Sequence, residues 1–273
     1  MIKAASTLAK ELERLLNSHS VSAWLCSAWE GDKIKAQVND TDLILSIGGD
    51  GTILRAAQVA LPNQTPIVGI NMGKLGFLTE LRAEEAIEKL PELLGGKGWL
   101  DERAMLEAEL LSTEADCKPS RIFHALNDVV VARGAIARVI NINTSIDGEH
   151  FTTYKADGVI LATATGSTGY SLAVGGPILY PQSEDFVLVP IAGHLAMDYS
   201  LVLPATAIVK LYVTTAHQAT LSVDGHINVP VASGATIIVR HSPIKTRFLR
   251  IHPQSYFYSS LEQRLKGKTN WVQ

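Results

Sequence analysis

The hydrophobic pattern of the chain changes near residue 103, and this change constrains the fold more than any other feature. Before it, apolar runs at 43–47 and 66–70 indicate buried strands, and helical patterns follow them at 52–61 and 83–94. Strands that are apolar on both faces and alternate with helices are typical of a parallel sheet covered by helices on both sides. The first hundred residues therefore predict an α/β domain.

Beyond residue 103, the period of two that is typical of strands replaces this alternation. Strand-like runs occur at 129–132, 139–146, 159–162, 186–191, 208–214, 220–223, 236–240 and 248–251. Many short strands and little helix predict a β-sandwich, and a last helical segment at 261–266 would return to the first domain. We therefore expect a Rossmann-like α/β domain over 1–103, with 252–273 packing back on it, and a β-sandwich domain over 104–251.

Composition narrows the classes of function. The 273 residues carry 24 basic and 27 acidic side chains, whereas nonspecific binding to nucleic acid needs a basic surface. The longest apolar stretch, Phe186 to Met197, is about twelve residues, short of the roughly 20 that cross a bilayer. Two cysteines, Cys26 and Cys117, are too few for a disulfide framework. We expect a cytoplasmic protein without nucleic-acid or membrane partners.

The most informative residues for chemistry are Gly48-Gly49-Asp50-Gly51-Thr52, between a buried strand and a helix. The glycines permit a sharp turn and close approach of a ligand, and free N–H groups at a helix start suit a phosphate. A carboxylate would repel phosphate unless it takes a proton or binds a metal, so Asp50 is interpreted as a general base or as an organiser of magnesium. The alternative is a helix cap made by Asp50 or Thr52.

Three further passages have the composition of ligand loops. Residues 71–79 follow the second strand at its carboxyl end, the usual ligand edge of an open α/β sheet. Residues 157–171 are rich in hydroxyl side chains, and Tyr170 is suited to stack on a base; alternatively, the hydroxyls satisfy the local backbone. Asn127-Asp128 pairs an amide with an acid, which suits a ribose diol, although a turn or strand start is the other interpretation.

These motifs, taken in order, resemble the ATP-dependent NAD kinases. They are Gly48–Thr52, Asn71–Leu78, Asn127-Asp128, Asp157-Gly158 with Thr165–Tyr170, and Val223-Asp224-Gly225. The resemblance implies transfer of the γ-phosphate of ATP to the 2′-hydroxyl of the adenosine ribose of NAD, giving NADP, with Mg²⁺ or another divalent cation accompanying ATP. It also implies the two-domain fold with a returning C-terminus, a homodimer or homotetramer, and, in some members, inorganic polyphosphate as a donor.

The resemblance also implies roles for individual residues. Asp50 would contact the reacting hydroxyl, and Asn127 and Asp128 would bind ribose and adenine. Asp157 would face the nicotinamide, and Phe77 would line the dinucleotide pocket. The residues expected to hold the adenine half are Ser167, Thr168 and Tyr170. The remaining residues expected to bind NAD or ATP are Gly48, Gly49, Gly51, Thr52, Lys155, Gly169 and His226. No protein metal ligand is predicted.

The chain departs from the family pattern in three places. The usual Asn-Glu pair is Asn127-Asp128, which shortens the acid by one methylene. In the hydroxyl-rich loop, Ala164 and Gly169 stand where the family has proline and alanine. The chain also begins inside its first helix, so we expect it to lack one N-terminal strand of the family fold.

Three alternative functions share part of the pattern. A lipid kinase of the diacylglycerol or sphingosine type has the same Gly-Gly-Asp-Gly-Thr loop, but it follows the next strand with a Pro-x-Gly-Thr-x-Asn-Asp-like segment, whereas Gly69–Lys74 stands here. A phosphofructokinase-like enzyme also shares the loop, but the β-rich second half fits it poorly. A noncatalytic dinucleotide sensor would keep the pocket without turnover, and the presence of Asp50 argues against it.

Overall fold

The computed structural model describes residues 3–111, 119–134, 139–192 and 199–269. Cys117 and residues 193–197 of the longest apolar stretch lie outside these ranges. The chain divides into two compact units, one of Met1–Glu102 with Thr246–Gln273 and the other of Arg103–Lys245. Within the described ranges, none of the helices has both the length and the apolar character needed to span a membrane.

The first unit alternates helices with strands, as predicted. Its elements before residue 104 are α1 (Lys3–Ser18), α2 (Gly31–Gln37), β1 (Ile44–Gly48), α3 (Asp50–Ala60), β2 (Ile67–Asn71), β3 (Leu81–Arg82), α4 (Ala83–Leu94) and β4 (Trp99–Arg103). Strands β1 and β2 pair in parallel, with Gly48 opposite Asn71, so the glycine-rich loop and the 71–79 loop leave the same edge of the sheet.

One part of this half differs from the sequence-based prediction. Residues 30–40 contain α2 and a 3₁₀ turn at Val38–Asp40, and neither element was among those predicted. Ile34 and Val38 are buried there. Two apolar side chains four residues apart are enough to fix one short helix against the unit, because they lie on one helical face.

The second unit is a β-sandwich, which confirms the predicted fold class. Its elements are β5 (Leu106–Leu111), β6 (Arg121–Ala125), β7 (Asp128–Arg133), β8 (Ile140–Ile146), β9 (Glu149–Ala156), β10 (Gly158–Thr163), α5 (Tyr170–Ala173), β11 (Phe186–Ile191), β12 (Leu201–Leu203), β13 (Val209–Thr214), β14 (Ala219–Val223), β15 (Ile227–Val231) and β16 (Thr236–His241). The strand orders of its two antiparallel sheets are β12-β11-β10-β7-β14-β15 and β6-β5-β16-β13-β8-β9.

Alternating residues from both sheets of this unit share one core. Val129 and Leu161 come from the first sheet, and Leu211 and Ile237 come from the second; all four are fully buried. Inward-facing residues at a period of two on two stacked sheets are what the apolar alternation in the sequence predicts.

The chain then returns to the first unit through β17 (Thr246–Arg250) and α6 (Tyr256–Thr269). Strand β17 pairs in parallel with β2, with Phe248 opposite Ile67, in the sheet ordered β1-β2-β17-β4, and β3 lies beside β2. The sequence placed the strand at 248–251 in the second domain; its hydrogen bonds place it in the first sheet. Apolar periodicity identifies a strand but not the sheet that the strand joins.

Candidate active site

Asp50 lies in the first turn of α3, and backbone N–H groups of the 71–79 loop hold its carboxylate. Oδ2 accepts a hydrogen bond from the Phe77 N–H (2.9 Å), and Oδ1 accepts one from the Leu78 N–H (3.0 Å). The carboxylate therefore bonds a distant loop rather than the N–H groups of its own helix, and the helix-cap alternative is not observed. The side chain is partly exposed, so a ligand can still reach it.

The glycines around Asp50 serve different purposes. A Cβ atom at Gly76 would lie 2.1 Å from Asp50 Oδ1, so only glycine lets the carboxylate approach this loop. A Cβ at Gly48 would lie 2.4 Å from Thr52 Oγ1, which shows that Gly48 allows close packing on Thr52. At Gly49 and Gly51 a Cβ would meet nothing within 4 Å. The backbone is therefore open to a ligand at these two glycines.

A buried ionic network supports the 71–79 loop from behind, and sequence reasoning missed it. Glu80 Oε1 accepts hydrogen bonds from the backbone N–H groups of Ile251 and His252 and from His252 Nδ1, each at 2.8 Å. Arg250 donates through Nε to Asp101 Oδ2 (3.1 Å) and through Nη1 to the Leu78 carbonyl (2.8 Å). The network thus ties β4, β17 and the residues after β17 to the loop that holds Asp50.

The network also sets the charge of Glu80. Burial acts to raise the pKa of this carboxyl, but the hydrogen bond from the His252 ring, the charge of Arg250 and the two backbone N–H groups outweigh burial and lower the pKa. Glu80 is therefore held as a carboxylate, and the hydrogen bonds that it accepts are charge-assisted.

Arg264 of α6 contacts the same loop. Its Nη1 donates to the Gly76 carbonyl, its Nε donates to Ser260 Oγ (2.8 Å), and the guanidinium lies 5.8 Å from the Phe77 ring centroid and 5.7 Å from that of Tyr256. Phe77, predicted to line a dinucleotide pocket, is partly buried here. Sequence reasoning identified the helix but not Arg264, whose loop partner lies 188 positions earlier.

In the second unit, Asp224 organises the turn that carries Asn127 and Asp128. Its Oδ1 accepts from the N–H groups of Asn127 (2.7 Å) and Asp128 (3.2 Å), and its Oδ2 accepts from the Leu126 N–H (3.0 Å). His226, on the same turn as Asp224, donates from Nδ1 to the Asp224 carbonyl (3.1 Å). Asp224 is 5% exposed, and three backbone N–H groups already bond to it, so we interpret its role as structural.

Asn127 and Asp128 differ in how well they are satisfied. Asn127 Oδ1 is buried and finds no hydrogen-bond partner within the described part of the chain. Burial of the Asp128 carboxyl, and then the nearby Asp224 carboxylate, raise the pKa of Asp128 to about 7. A buried acceptor without a partner is costly, so Asn127 Oδ1 is suited to accept a hydrogen bond from a ligand hydroxyl.

The hydroxyl-rich loop mostly satisfies its own backbone, which is the alternative left open by the sequence. Ser167 Oγ donates to the Ala164 carbonyl (2.6 Å) and accepts from the Leu179 N–H (3.0 Å), and Thr168 Oγ1 donates to the Thr165 carbonyl (3.2 Å). Ser167 is fully buried. Its hydroxyl therefore holds the loop in shape.

Two other residues of this loop remain open to a ligand. Tyr170, at the start of α5, is 46% exposed. Gly169 is partly exposed, and a Cβ there would lie 3.1 Å from the Gly166 carbonyl oxygen, 3.5 Å from Asn127 Nδ2 and 3.9 Å from Asp128 Oδ2, so Gly169 packs closely beside the amide and the acid. The exposed ring is compatible with the predicted contact to an adenine ring.

Asp157, predicted to face the nicotinamide, forms a two-point ion pair. Arg133 contacts it through Nε to Oδ1 (2.7 Å) and through Nη2 to Oδ2 (3.1 Å). Such a pair fixes the carboxylate plane, and sequence reasoning missed Arg133. Lys155, two residues earlier on β9, is exposed.

The described residues do not build a metal cage. Among residues 3–111, 119–134, 139–192 and 199–269, no three His, Cys, Asp or Glu side chains lie close enough to hold an ion together. Both oxygens of Asp50 already accept backbone hydrogen bonds.

Comparisons with known proteins cover both halves of the chain. Residues 2–97 match the family model described as the ATP-NAD kinase N-terminal domain, and residues 126–251 match that of the ATP-NAD kinase C-terminal domain. An NAD kinase of Dehalococcoides mccartyi is 52% identical over 269 residues, covering 98% of this chain and 94% of the relative. An NAD kinase of Chloroflexus aggregans is 42% identical over 84% of this chain and 82% of the relative.

Two solved structures are similar to this chain. An NAD kinase from Archaeoglobus fulgidus in complex with ATP has a TM-score of 0.76 and 27% identity, and the match covers 94% of each chain. A yeast NADH kinase complexed with NADH has a TM-score of 0.76 and 30% identity, and the match covers 84% of this chain and 67% of that one.

Proposed function

Because the chain belongs to the ATP-NAD kinase family, we propose that it transfers the γ-phosphate of ATP to the 2′-hydroxyl of the adenosine ribose of NAD, giving NADP. The observation that supports this proposal most directly is that the Asp50 carboxylate is held by two backbone N–H groups and remains partly exposed. The matches over both halves do not favour a lipid kinase or a noncatalytic sensor.

Asp50 is proposed as the general base. A ribose hydroxyl is a weak nucleophile at neutral pH, and a carboxylate within hydrogen-bond reach orients it and accepts its proton. A carboxylate has about four acceptor sites, so the two bonds from Phe77 and Leu78 leave capacity for the hydroxyl. The O2′–Pγ bond forms as the bond between Pγ and the β–γ bridging oxygen breaks, and ADP leaves.

The first unit is proposed to bind the donor phosphates. Gly49 and Gly51, where the backbone is open, lie at the N-cap and in the first turn of α3. The N-terminus of a helix favours anions. Mg²⁺ enters as part of the ATP substrate and neutralises donor charge. Inorganic polyphosphate would offer the same phosphate chemistry to this loop. Gly48 and Thr52 shape the loop by packing on each other.

The second unit is proposed to bind the dinucleotide. Asn127 and Asp128 would accept hydrogen bonds from ribose and adenine, because Asn127 Oδ1 is buried without a partner in the described part of the chain. Tyr170 would stack on the adenine. Asp157 and Lys155 would face the nicotinamide end. The residues proposed to wall the adenine half are Ser167, Thr168, Gly169 and His226.

We also propose a cytoplasmic homo-oligomer, a dimer or a tetramer. Cys26 is an exposed free thiol, which suits a reducing compartment. The homo-oligomer rests on the family membership of the chain.

The test is to incubate the purified protein with ATP, Mg²⁺ and NAD and to measure NADP. We expect Asp50→Asn to lower kcat by about 100-fold or more while NAD still binds by calorimetry. Asp42→Asn, at an exposed aspartate of the same unit, serves as the control. Near-normal turnover by folded Asp50→Asn would refute the role of the base, and NAD binding by the wild type without NADP formation would indicate a sensor.

A further inference from the structure

Arg264 of the C-terminal helix α6 contacts the 71–79 loop, which holds Asp50. This residue is 6% exposed. The Arg264 Nε donates a hydrogen bond to Ser260 Oγ (2.8 Å), one turn earlier on α6, and the rings of Phe77 and Tyr256 lie near the guanidinium. These contacts restrict the guanidinium to one position, from which Nη1 donates to the Gly76 carbonyl.

The Gly76 carbonyl belongs to the same peptide group as the Phe77 N–H. That N–H donates to Asp50 Oδ2 at 2.9 Å. Hydrogen bonds that pass through one peptide group polarise each other, so a charged donor on the carbonyl strengthens the bond made by the N–H. The peptide plane, held at both ends, fixes the direction of the N–H. Arg264 therefore acts on the Asp50 carboxylate through a single rigid amide.

The charges around Arg264 fit this arrangement. Burial and repulsion from Arg250 lower the pKa of Arg264, whereas Tyr256, Asp50 and Glu80 act to raise it. An arginine side chain stays protonated in proteins, so a positive charge is kept close to Asp50. A lysine would keep the charge but lose the fork that bonds Ser260 and Gly76 together.

We propose that Arg264 is a positioning residue for phosphoryl transfer, which orients the Asp50 carboxylate through the Gly76–Phe77 peptide group. The inference rests on the proposed role of Asp50 as the base. It differs from a purely structural role for Arg264, because it predicts a loss of turnover in a folded protein that still binds its substrates, and because that loss depends on Asp50.

The first experiment compares kcat and KM of Arg264→Met, Arg264→Lys and the control Lys266→Met. Lys266 is on the same helix, its side chain is 73% exposed, and it pairs with Glu262, so its replacement removes one positive charge away from the loop. We expect Arg264→Met to lower kcat about 10- to 100-fold, as small misplacements of reacting groups do, with KM for NAD and ATP within about threefold. Arg264→Lys should recover part of kcat, and Lys266→Met should match the wild type.

The second experiment combines Arg264→Met with Asp50→Asn. If Arg264 acts through Asp50, Arg264→Met should lower kcat by no more than about twofold in the Asp50→Asn background. If the two substitutions instead lower kcat by factors that multiply, the proposal is overturned. Wild-type kcat in a folded Arg264→Met protein would overturn it as well. If Arg264→Met does not fold, Ser260→Ala and Arg264→Lys test the proposal in its place, because wild-type kcat in both variants would also overturn the proposal. Normal turnover by Asp50→Asn would instead refute the proposed base.

Discussion

Replacing Asp128 by asparagine should stabilise the protein, and more so as the pH rises. Asp128 is 6% exposed, and Asp224, a second carboxylate, lies nearby. Burial and this neighbour raise the pKa of Asp128 from its ordinary 3.8 to about 7. An increase of this size corresponds to about 4 kcal/mol between the two protonation states. The amide side chain introduced by Asp128→Asn is neutral at every pH and avoids this cost.

The direction of the pH dependence follows from proton binding. Below pH 3.8 the carboxyl is protonated in both the folded and the unfolded chain, and it adds no pH dependence. Between about pH 4 and 7 the unfolded chain loses the proton while the folded chain keeps it, so the free energy of unfolding falls as the pH rises. Above about pH 7 the loss is complete. The stabilisation by Asp128→Asn should therefore be larger at pH 8 than at pH 5 by up to about 3 kcal/mol.

Urea denaturation at pH 5 and pH 8 measures this difference. Asp185→Asn is the matched control, because Asp185 is exposed and belongs to the same unit; its unfolding free energy should follow that of the wild type at both pH values. Asp128→Asn should also raise KM for NAD, since it replaces one carboxyl oxygen, a proposed acceptor for ribose, by an NH₂ group that only donates. An unchanged difference between Asp128→Asn and wild type across the two pH values would refute the reasoning about this buried acid pair.

Two glycine substitutions test close approaches in the two units. Gly76→Ala places a methyl group 2.1 Å from an oxygen of the proposed base, so kcat should fall about 100-fold in a folded protein. Gly31→Ala is the control, because a Cβ at Gly31 meets nothing within 4 Å. Equal kcat in both variants would contradict the prediction. Gly166→Ala places its methyl 1.9 Å from the Asn127 carbonyl oxygen, and the free energy of unfolding should fall by about 3 kcal/mol or more; an unchanged urea midpoint would contradict this clash.

Apolar periodicity predicted most of the fold but not all of the strand partners. Strand β11 has the predicted bounds, because all six of its residues are buried and an apolar run is the signature of such a strand. Strand β9 was missed, since only Tyr154 and Ala156 of its residues are buried. Strand β17 was identified but assigned to the wrong sheet, because its pairing with β2 depends on contacts between residues far apart in the sequence.

The candidate site was predicted where its chemistry is carried by motif residues. Asp50 stood out as an acid among glycines, and Gly76 belonged to a motif next to a strand end. The partners of Asp50 are backbone N–H groups, which no residue type reveals. Arg264 and Arg133 each occur without a motif, and only the fold brings them to their partners. Sequence motifs therefore identified the candidate ligand loops, whereas the groups that hold these loops in place required the structure.

Both units use an aspartate in a glycine-containing motif to organise a loop, and exposure separates their roles. Asp224 accepts three backbone N–H bonds and is 5% exposed, so it has little capacity left for a ligand. Asp50 accepts two and is partly exposed. Because a carboxylate has about four acceptor sites, the geometry that fixes Asp50 leaves room for a hydroxyl proton. An acid among glycines is thus not by itself a sign of catalysis, and it is the unfilled acceptor capacity facing solvent that favours Asp50 over Asp224 for the proposed role of the base.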